Sequence, residues 1–183
     1  MGKKINLPLL ADAWSAPSSE RPETKKGGHQ KKPSLEDARN RLGGRTTDEE
    51  PAPPGIAPGC IVKVMANNGT AHVAVVVFAN ADEVHILIDG TKLRRVPPAA
   101  IDEHEGATPT ALSKIAADAQ VFNRLSEGQP VRYADDSGGL LAGKLVEKCR
   151  YGALVVREDG AVVAVGFRKL WPAASSGASP LTS

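Results

Sequence analysis

Short, mostly apolar runs rich in valine fill two stretches of the chain, and turn residues separate the runs. The runs predict strands near residues 61–65, 72–78, 84–88 and 92–96, and again near 130–133, 140–147, 153–157 and 162–167. Asp-Gly pairs at Asp89 and Asp159 mark tight turns late in each stretch. The pattern is typical of antiparallel sheets built from hairpins.

The two stretches follow the same plan, so the chain contains a duplication. Each opens with a glycine and a Val-rich strand, and these glycines, Gly59 and Gly128, are 69 residues apart. The two Asp-Gly turns are 70 residues apart, which predicts that the copies differ there by one residue. A unit of about 45 residues buries too little surface to be very stable alone, so we expect the two copies to support each other.

A helix is predicted between the copies, over residues 109–125. Leu112, Ile115, Ala119 and Phe122 form one apolar stripe at helical spacing. Thr108 is positioned to cap the helix, Pro109 to occupy its first position, and Gly128 to stop it. We expect this helix to act as a strut that fixes the orientation of the two copies.

Residues 1–55 are poor in apolar residues and end in the breaker cluster Pro51-Ala52-Pro53-Pro54-Gly55, which predicts a disordered arm. Ser34, the acids Glu36 and Asp37, and Gly43 mark a helix of about two turns within it. The predicted organisation is a disordered arm (1–55), a first barrel (56–102), a linker helix (103–127), a second barrel (128–172) and a flexible tail (173–183).

Few closed arrangements exist for short strands in so small a unit, and a five-stranded barrel is the simplest because closure removes exposed edges. The predicted fold class is therefore mainly β, with two small barrels. Both copies resemble the SH3-like barrels of Tudor, agenet and KOW modules. The resemblance is carried by Pro58-Gly59-x-x-Val62-Lys63-Val64, Gly128-x-x-Val131-Arg132-Tyr133, Ile88-Asp89-Gly90…Val96-Pro97 and Glu158-Asp159-Gly160…Phe167-Arg168-Lys169-Leu170. It implies a non-catalytic binder of RNA, DNA, ribosomes or peptide tails.

Positive charge is concentrated locally, although the whole chain has 23 basic and 21 acidic residues and a net charge of +2. Residues 21–45 are strongly basic, and Lys148-Cys149-Arg150-Tyr151 interleaves cations with an aromatic ring. Flexible cations neutralise phosphates without needing a fold. The residues predicted to bind nucleic acid or a ribonucleoprotein are Lys31, Lys32, Arg39, Arg41, Lys148, Arg150, Tyr151, Arg168 and Lys169. The alternative is a solvated arm and a solvated hairpin.

Aromatic residues give two further signals. Tyr133, Tyr151, Phe167 and Trp171 are numerous enough for a cation cage or a base-stacking surface; alternatively, Phe167 and Trp171 belong to the core while the tyrosines are half-exposed. The segment 5–14, with Leu9, Leu10 and Trp14, predicts either docking to a partner's groove or packing on the protein's own barrels. An adaptor that holds peptides is therefore the alternative function.

No enzyme chemistry stands out in the sequence. The four histidines and the carboxylates form no nucleophile and base pair, and no Gly-Lys-Ser/Thr phosphate loop is present. Cys60 and Cys149 lack metal-ligand spacing and are predicted to be buried on strands. We expect no enzyme activity, no metal, no cofactor and no membrane segment, and a cytoplasmic location.

Overall fold

The computed structural model describes residues 34–46, 50–66 and 68–173. The first sheet comprises β1 (Ile61–Met65), β2 (Ala71–Ala79), β3 (Val84–Ile88), β4 (Lys92–Val96) and β5 (Ile101–Glu103). The second comprises β6 (Pro130–Ala134), β7 (Leu140–Cys149), β8 (Gly152–Val156), β9 (Val162–Gly166) and β10 (Leu170–Pro172). The helices are α1 (Leu35–Arg41) and α2 (Thr110–Arg124).

Both sheets are antiparallel and have the same strand order. The first runs β4-β3-β2-β1-β5 and the second β9-β8-β7-β6-β10, so each strand has a counterpart in the other sheet. The predicted mainly-β class and the repeated strand plan are confirmed.

The offset between counterparts is 69 residues throughout, which corrects the predicted one-residue difference. The first strand of each copy shows that offset, since these strands begin at Ile61 and Pro130. So do the 3₁₀ turns, at Pro98–Ala100 and Phe167–Lys169. Three residues connect β3 to β4, where Asp89 and Gly90 have φ of 53° and 73°. Five residues connect β8 to β9, but Arg157 N donates to Ala161 O (2.9 Å), so the counterpart turn is again three residues long, 158–160, and among these only Gly160 has a positive φ, of 80°. The two turns have equal length but different conformations.

A β-bulge also recurs at the same place in each copy. The pairing register shifts between Val76 and Phe78 in β2, and between Leu145 and Glu147 in β7. A bulge bends its strand and increases the local twist. The hairpin ends beyond these bulges are where the two halves of the molecule meet.

Helix α2 contributes to the core of both halves. Its buried face, which includes Leu112, Ile115 and Phe122, lies in one cluster with Val75 and Val77 of β2 and with core residues of the second sheet. The ring centroids of Phe122 and Phe167 are 6.3 Å apart. Thr108 does not cap the helix: Pro109 is the capping residue and supplies no side-chain hydrogen bond, so the helix begins at Thr110.

Helix α1 is docked on the second sheet, whereas this region was predicted as part of a disordered arm. Ser34 and Asp37 form a reciprocal capping box, as the predicted short helix requires. Leu42 packs against Cys149 and Leu154, and backbone bonds from Tyr151 N to Leu42 O (3.0 Å) and from Arg150 N to Gly44 O (3.2 Å) fix the segment. Apolar packing by Leu42, which caps the helix, and Ala38 therefore acts together with these backbone bonds to hold the segment on the sheet.

Candidate nucleic-acid interface

Lys148 lies at the C-terminal end of α2 and is bound to its backbone. Its Nζ donates hydrogen bonds to the carbonyl oxygens of Asn123 (2.7 Å) and Leu125 (3.1 Å) and lies 5.1 Å from the ring centroid of Phe122. Burial lowers the pKa of Lys148. Because helix C-termini carry partial negative charge, this amine stabilises the end of α2.

Arg150 and Tyr151 reach from the tip of the β7–β8 hairpin to the first sheet. Arg150 stacks 5.0 Å from the Phe78 ring centroid, and its Nη1 is 3.3 Å from Oε1 of Glu83. The Tyr151 hydroxyl is 2.7 Å from Nδ1 of His85. Both side chains therefore join the two sheets.

His85 and Glu83 are the centre of this contact. His85 is 1% exposed, and its Nε2 lies 3.1 Å from Oε1 of Glu83. The other carboxylate oxygen of Glu83 is 3.0 Å from Arg95 Nε. A neutral imidazole that accepts from Tyr151 at Nδ1 carries its proton on Nε2, next to the carboxylate. Burial lowers the pKa of His85, so the neutral form is favoured.

The other predicted binding residues have different surroundings. Arg39 forms a bidentate salt bridge with Glu147, in which Nε and Nη2 donate to the two carboxylate oxygens at 2.5 and 2.7 Å. Hydrogen bonding to the guanidinium lowers the pKa of the Glu147 carboxyl. Lys169 Nζ is 3.2 Å from Asp136, Arg168 is half-buried, and Arg41 is exposed. Lys31, Lys32, Leu9, Leu10 and Trp14 lie outside the described residues.

The predicted hairpin residues are thus engaged in contacts within the protein. Nucleic-acid binding by Lys148, Arg150 and Tyr151 stays a prediction, and it would have to compete with the contacts to α2 and to the first sheet. Sequence reasoning missed the contact of Tyr151 with His85. The two residues are 66 apart in the chain, and a local charge pattern gives no information about pairing over that distance.

The four aromatic residues of the second copy do not converge. Tyr133 and Phe167 are buried in the core, at 3% and 4% exposure, on the inner face of the sheet. Tyr151 and Trp171 are half-buried at two separate places. A cation cage made of all four is therefore wrong. The alternative placed Phe167 and Trp171 in the core and left both tyrosines half-exposed. It is right for Phe167 and Tyr151, but wrong for Tyr133, which is buried, and for Trp171, which is only half-buried.

Trp171 instead lies on the outer face of the second sheet, beside exposed cations. Its neighbours along the chain include buried Leu170, and side chains of a strand alternate between faces, so Trp171 points to the side opposite the core. The register pairs Trp171 with Arg132, and Arg132 with Ala142. Lys144, two residues farther along β7, is on the same face, and both cations are exposed. This arrangement combines an aromatic surface with two positive charges.

A shallow cleft of about 280 Å³ adjoins this face and is lined by Leu141, Ala142, Arg157, Glu158 and Asp159. Arg157 Nη2 lies 3.3 Å from Asp159, so the cation at its edge is paired. The cleft is small for a ligand pocket, for which several hundred Å³ is usual.

Neither cysteine has the surroundings of a reactive or metal-binding thiol. Cys149 is buried beneath Leu42, and burial raises its pKa to about 11. Cys60 is half-buried and precedes β1, which corrects its predicted place on a strand. Among the described residues, no group of three or more His, Cys, Asp or Glu could hold a metal ion. No helix in that part of the chain is long and apolar enough to cross a membrane.

No known protein family matches the sequence, and no curated protein is significantly similar to it.

Proposed function

We propose that this protein binds single-stranded nucleic acid without catalysis, on the outer face of its second sheet. The observation that carries the proposal is the row of Trp171, Arg132 and Lys144 on one exposed face. We also infer that each sheet is an SH3-like barrel, a fold whose members are mostly binding modules. The shared strand order and the 3₁₀ turn before the last strand support that inference.

The chemistry of this face suits an unpaired strand. A base stacked on Trp171 contributes about 1–3 kcal/mol, and it needs no particular sequence because every base has an aromatic face. Arg132 and Lys144, on the two strands next to the edge strand that carries Trp171, then neutralise phosphates on that side of the stacked base. Arg41 adds an exposed positive charge at the end of α1.

The test measures binding of a fluorescent single-stranded oligonucleotide between low and physiological salt. The double variant Arg132→Ala/Lys144→Ala should weaken binding and flatten the salt dependence by roughly one unit for each cation removed. Trp171→Leu should weaken binding at every salt concentration, because it keeps an apolar side chain but removes the stacking surface. Trp171→Phe should retain most of the affinity.

The matched control is Lys92→Ala/Arg94→Ala, which removes two exposed cations from the edge strand β4 of the first sheet. It should leave the affinity and the salt dependence nearly unchanged. Equal losses in both double variants would contradict the proposed face. If the folded protein binds no nucleic acid even at low salt, the adaptor function becomes the better explanation.

A further inference from the structure

The outer face of the second sheet carries Trp171, Arg132 and Lys144 on one half, and uncharged side chains of β7, β8 and β9 on the other. We call the residues of this half the open patch: Ala142, Val156, Val162 and Ala164. Val162 is 45% exposed and pairs with Val156, while Ala142 and Ala164 are exposed. Leu140, at 57% exposure, lies farther along the same face of β7.

The first sheet shows what covers this face in the other copy. At the 69-residue offset, the counterparts of Ala142, Val156 and Val162 are Val73, Leu87 and Leu93. Those three side chains pack against the cluster that contains α2. The same sheet face is therefore covered in one copy, whereas within the described part of the chain it is uncovered in the other.

Helix α1 covers only the neighbouring end of the face. Leu42 lies over Leu154, and Leu154 pairs with Ala164 at the margin of the open patch. Leu35 stands on the same helical stripe as Ala38 and Leu42 but is 50% exposed. Ser34, where the described segment begins, is eight residues from Leu42 along the helix and so about 12 Å from the margin of the open patch.

We propose that residues 5–14 of this chain cover the open patch, with Leu7, Leu9, Leu10 and Trp14 against Val156 and Val162. This segment is the most apolar part of the chain before α1, and Asp12, its one charged residue, suits the cation of Lys144. Lys144 pairs with Val156 and so borders the patch.

The connecting chain is long enough for this docking. Residues 15–33 separate the segment from Ser34, and an extended chain of that length spans about 65 Å. Five strands at about 4.8 Å spacing make a sheet roughly 20 Å wide. Because the tether makes docking intramolecular, its effective concentration reaches the millimolar range, and modest apolar contact is sufficient.

Tryptophan fluorescence tests the proposal in the full chain. Trp14 and Trp171 are the two tryptophans, so Trp171→Phe leaves Trp14 as the sole reporter. We expect blue-shifted Trp14 emission that is shielded from acrylamide. Adding Val162→Asp should shift the emission to that of tryptophan in water and remove the shielding. Ala164→Asp should do the same, and circular dichroism checks that each variant is folded.

The control is Met65→Asp, which places the same charge at a 54% exposed apolar position of the first sheet and should leave Trp14 emission unchanged. Water-like emission of Trp14 in the parent, or emission unaffected by both patch variants, would refute the docking. A blue shift that disappears on dilution would mean that a second copy supplies the occupant, which also overturns the proposal. Lys144 borders both surfaces, but the docking is judged from Trp14 emission in Val162→Asp and Ala164→Asp, which leave Arg132 and Lys144 unchanged, and nucleic-acid binding is measured separately. The two proposals can therefore fail independently.

Discussion

At the residue scale, the contact between the sheets depends on a buried histidine. The counterpart of His85 in the second sheet is Leu154, which is covered by Leu42 of α1. In the first sheet the same place holds an imidazole, covered by Tyr151 from the other copy. One position of the repeat is thus apolar in one sheet and hydrogen-bonded in the other, and each is covered by a segment distant in sequence.

His85 should make stability depend on pH near neutrality. Its pKa is lowered in the folded protein from a usual value of 6.5, so the unfolded chain binds the extra proton first. Its contribution is therefore complete above about pH 6.5 and is lost as pH falls below that value towards the lowered folded pKa. We expect the free energy of unfolding in urea to fall by up to about 1.4 kcal/mol per pH unit as the pH is lowered below 6.5.

The comparison that checks the assignment is His85→Gln against His72→Gln, since His72 is a half-buried histidine on β2. The first variant should be less stable at pH 7.5 and should lose most of the pH dependence in this window. The second should keep it. An unchanged pH profile in His85→Gln would show that other groups are responsible.

At the element scale, the periodic pattern was sufficient to locate the strands. β1, β3 and β4 have the predicted bounds: β1 and β3 are short, mostly apolar runs, and β4 alternates Leu93 and Val96 with cations between the Asp-Gly turn and Pro97. β7 ends at Cys149, two residues beyond its predicted end. After the bulge that follows Leu145, Glu147, Lys148 and Cys149 are still paired with β8. The outer-face row of Trp171, Arg132 and Lys144 could not be predicted, because it depends on which strands are neighbours.

Helix α1 should be released by a single core substitution. Leu42 is 6% exposed, and a charge there cannot remain against Cys149 and Leu154. In the wild type, limited proteolysis should leave a fragment that begins near residue 34. Leu42→Asp should move the first cleavages into residues 34–46 while the rest of the protein stays folded.

Asn40→Ala changes an exposed position of the same helix and should keep the wild-type cleavage pattern. Cleavage within residues 34–46 of the wild type, at a rate equal to that in Leu42→Asp, would show that α1 is not held on the sheet in solution.

At the scale of the whole molecule, the two sheets share one core. The cluster that contains α2 includes outer-face residues of the first sheet and inner-face residues of the second. The predicted apolar stripe identified the helix and its buried face. It could not show that the two copies present opposite faces to that helix, because identical strand plans would favour equivalent packing.

Ile115, at 3% exposure, tests this shared core. Ile115→Ala should cost about 2–5 kcal/mol and lower the melting temperature by at least about 5 °C, in a single transition for both sheets. Ile115→Asp should unfold the protein or separate the halves. Ala117→Asp, at an exposed position of the same helix, is the control and should melt near the wild-type temperature. An unchanged melting temperature in Ile115→Ala would refute the role of α2 as a strut.

The docking of α1 also has a consequence for synthesis on the ribosome. Arg39 and its partner Glu147 are 108 residues apart, so the helix is made long before the strands that hold it. At about 5–20 residues per second, roughly 5–20 s pass between the two. The first described element to leave the ribosome therefore waits for the second sheet, and residues 34–46 take their final place only after most of the chain has been translated.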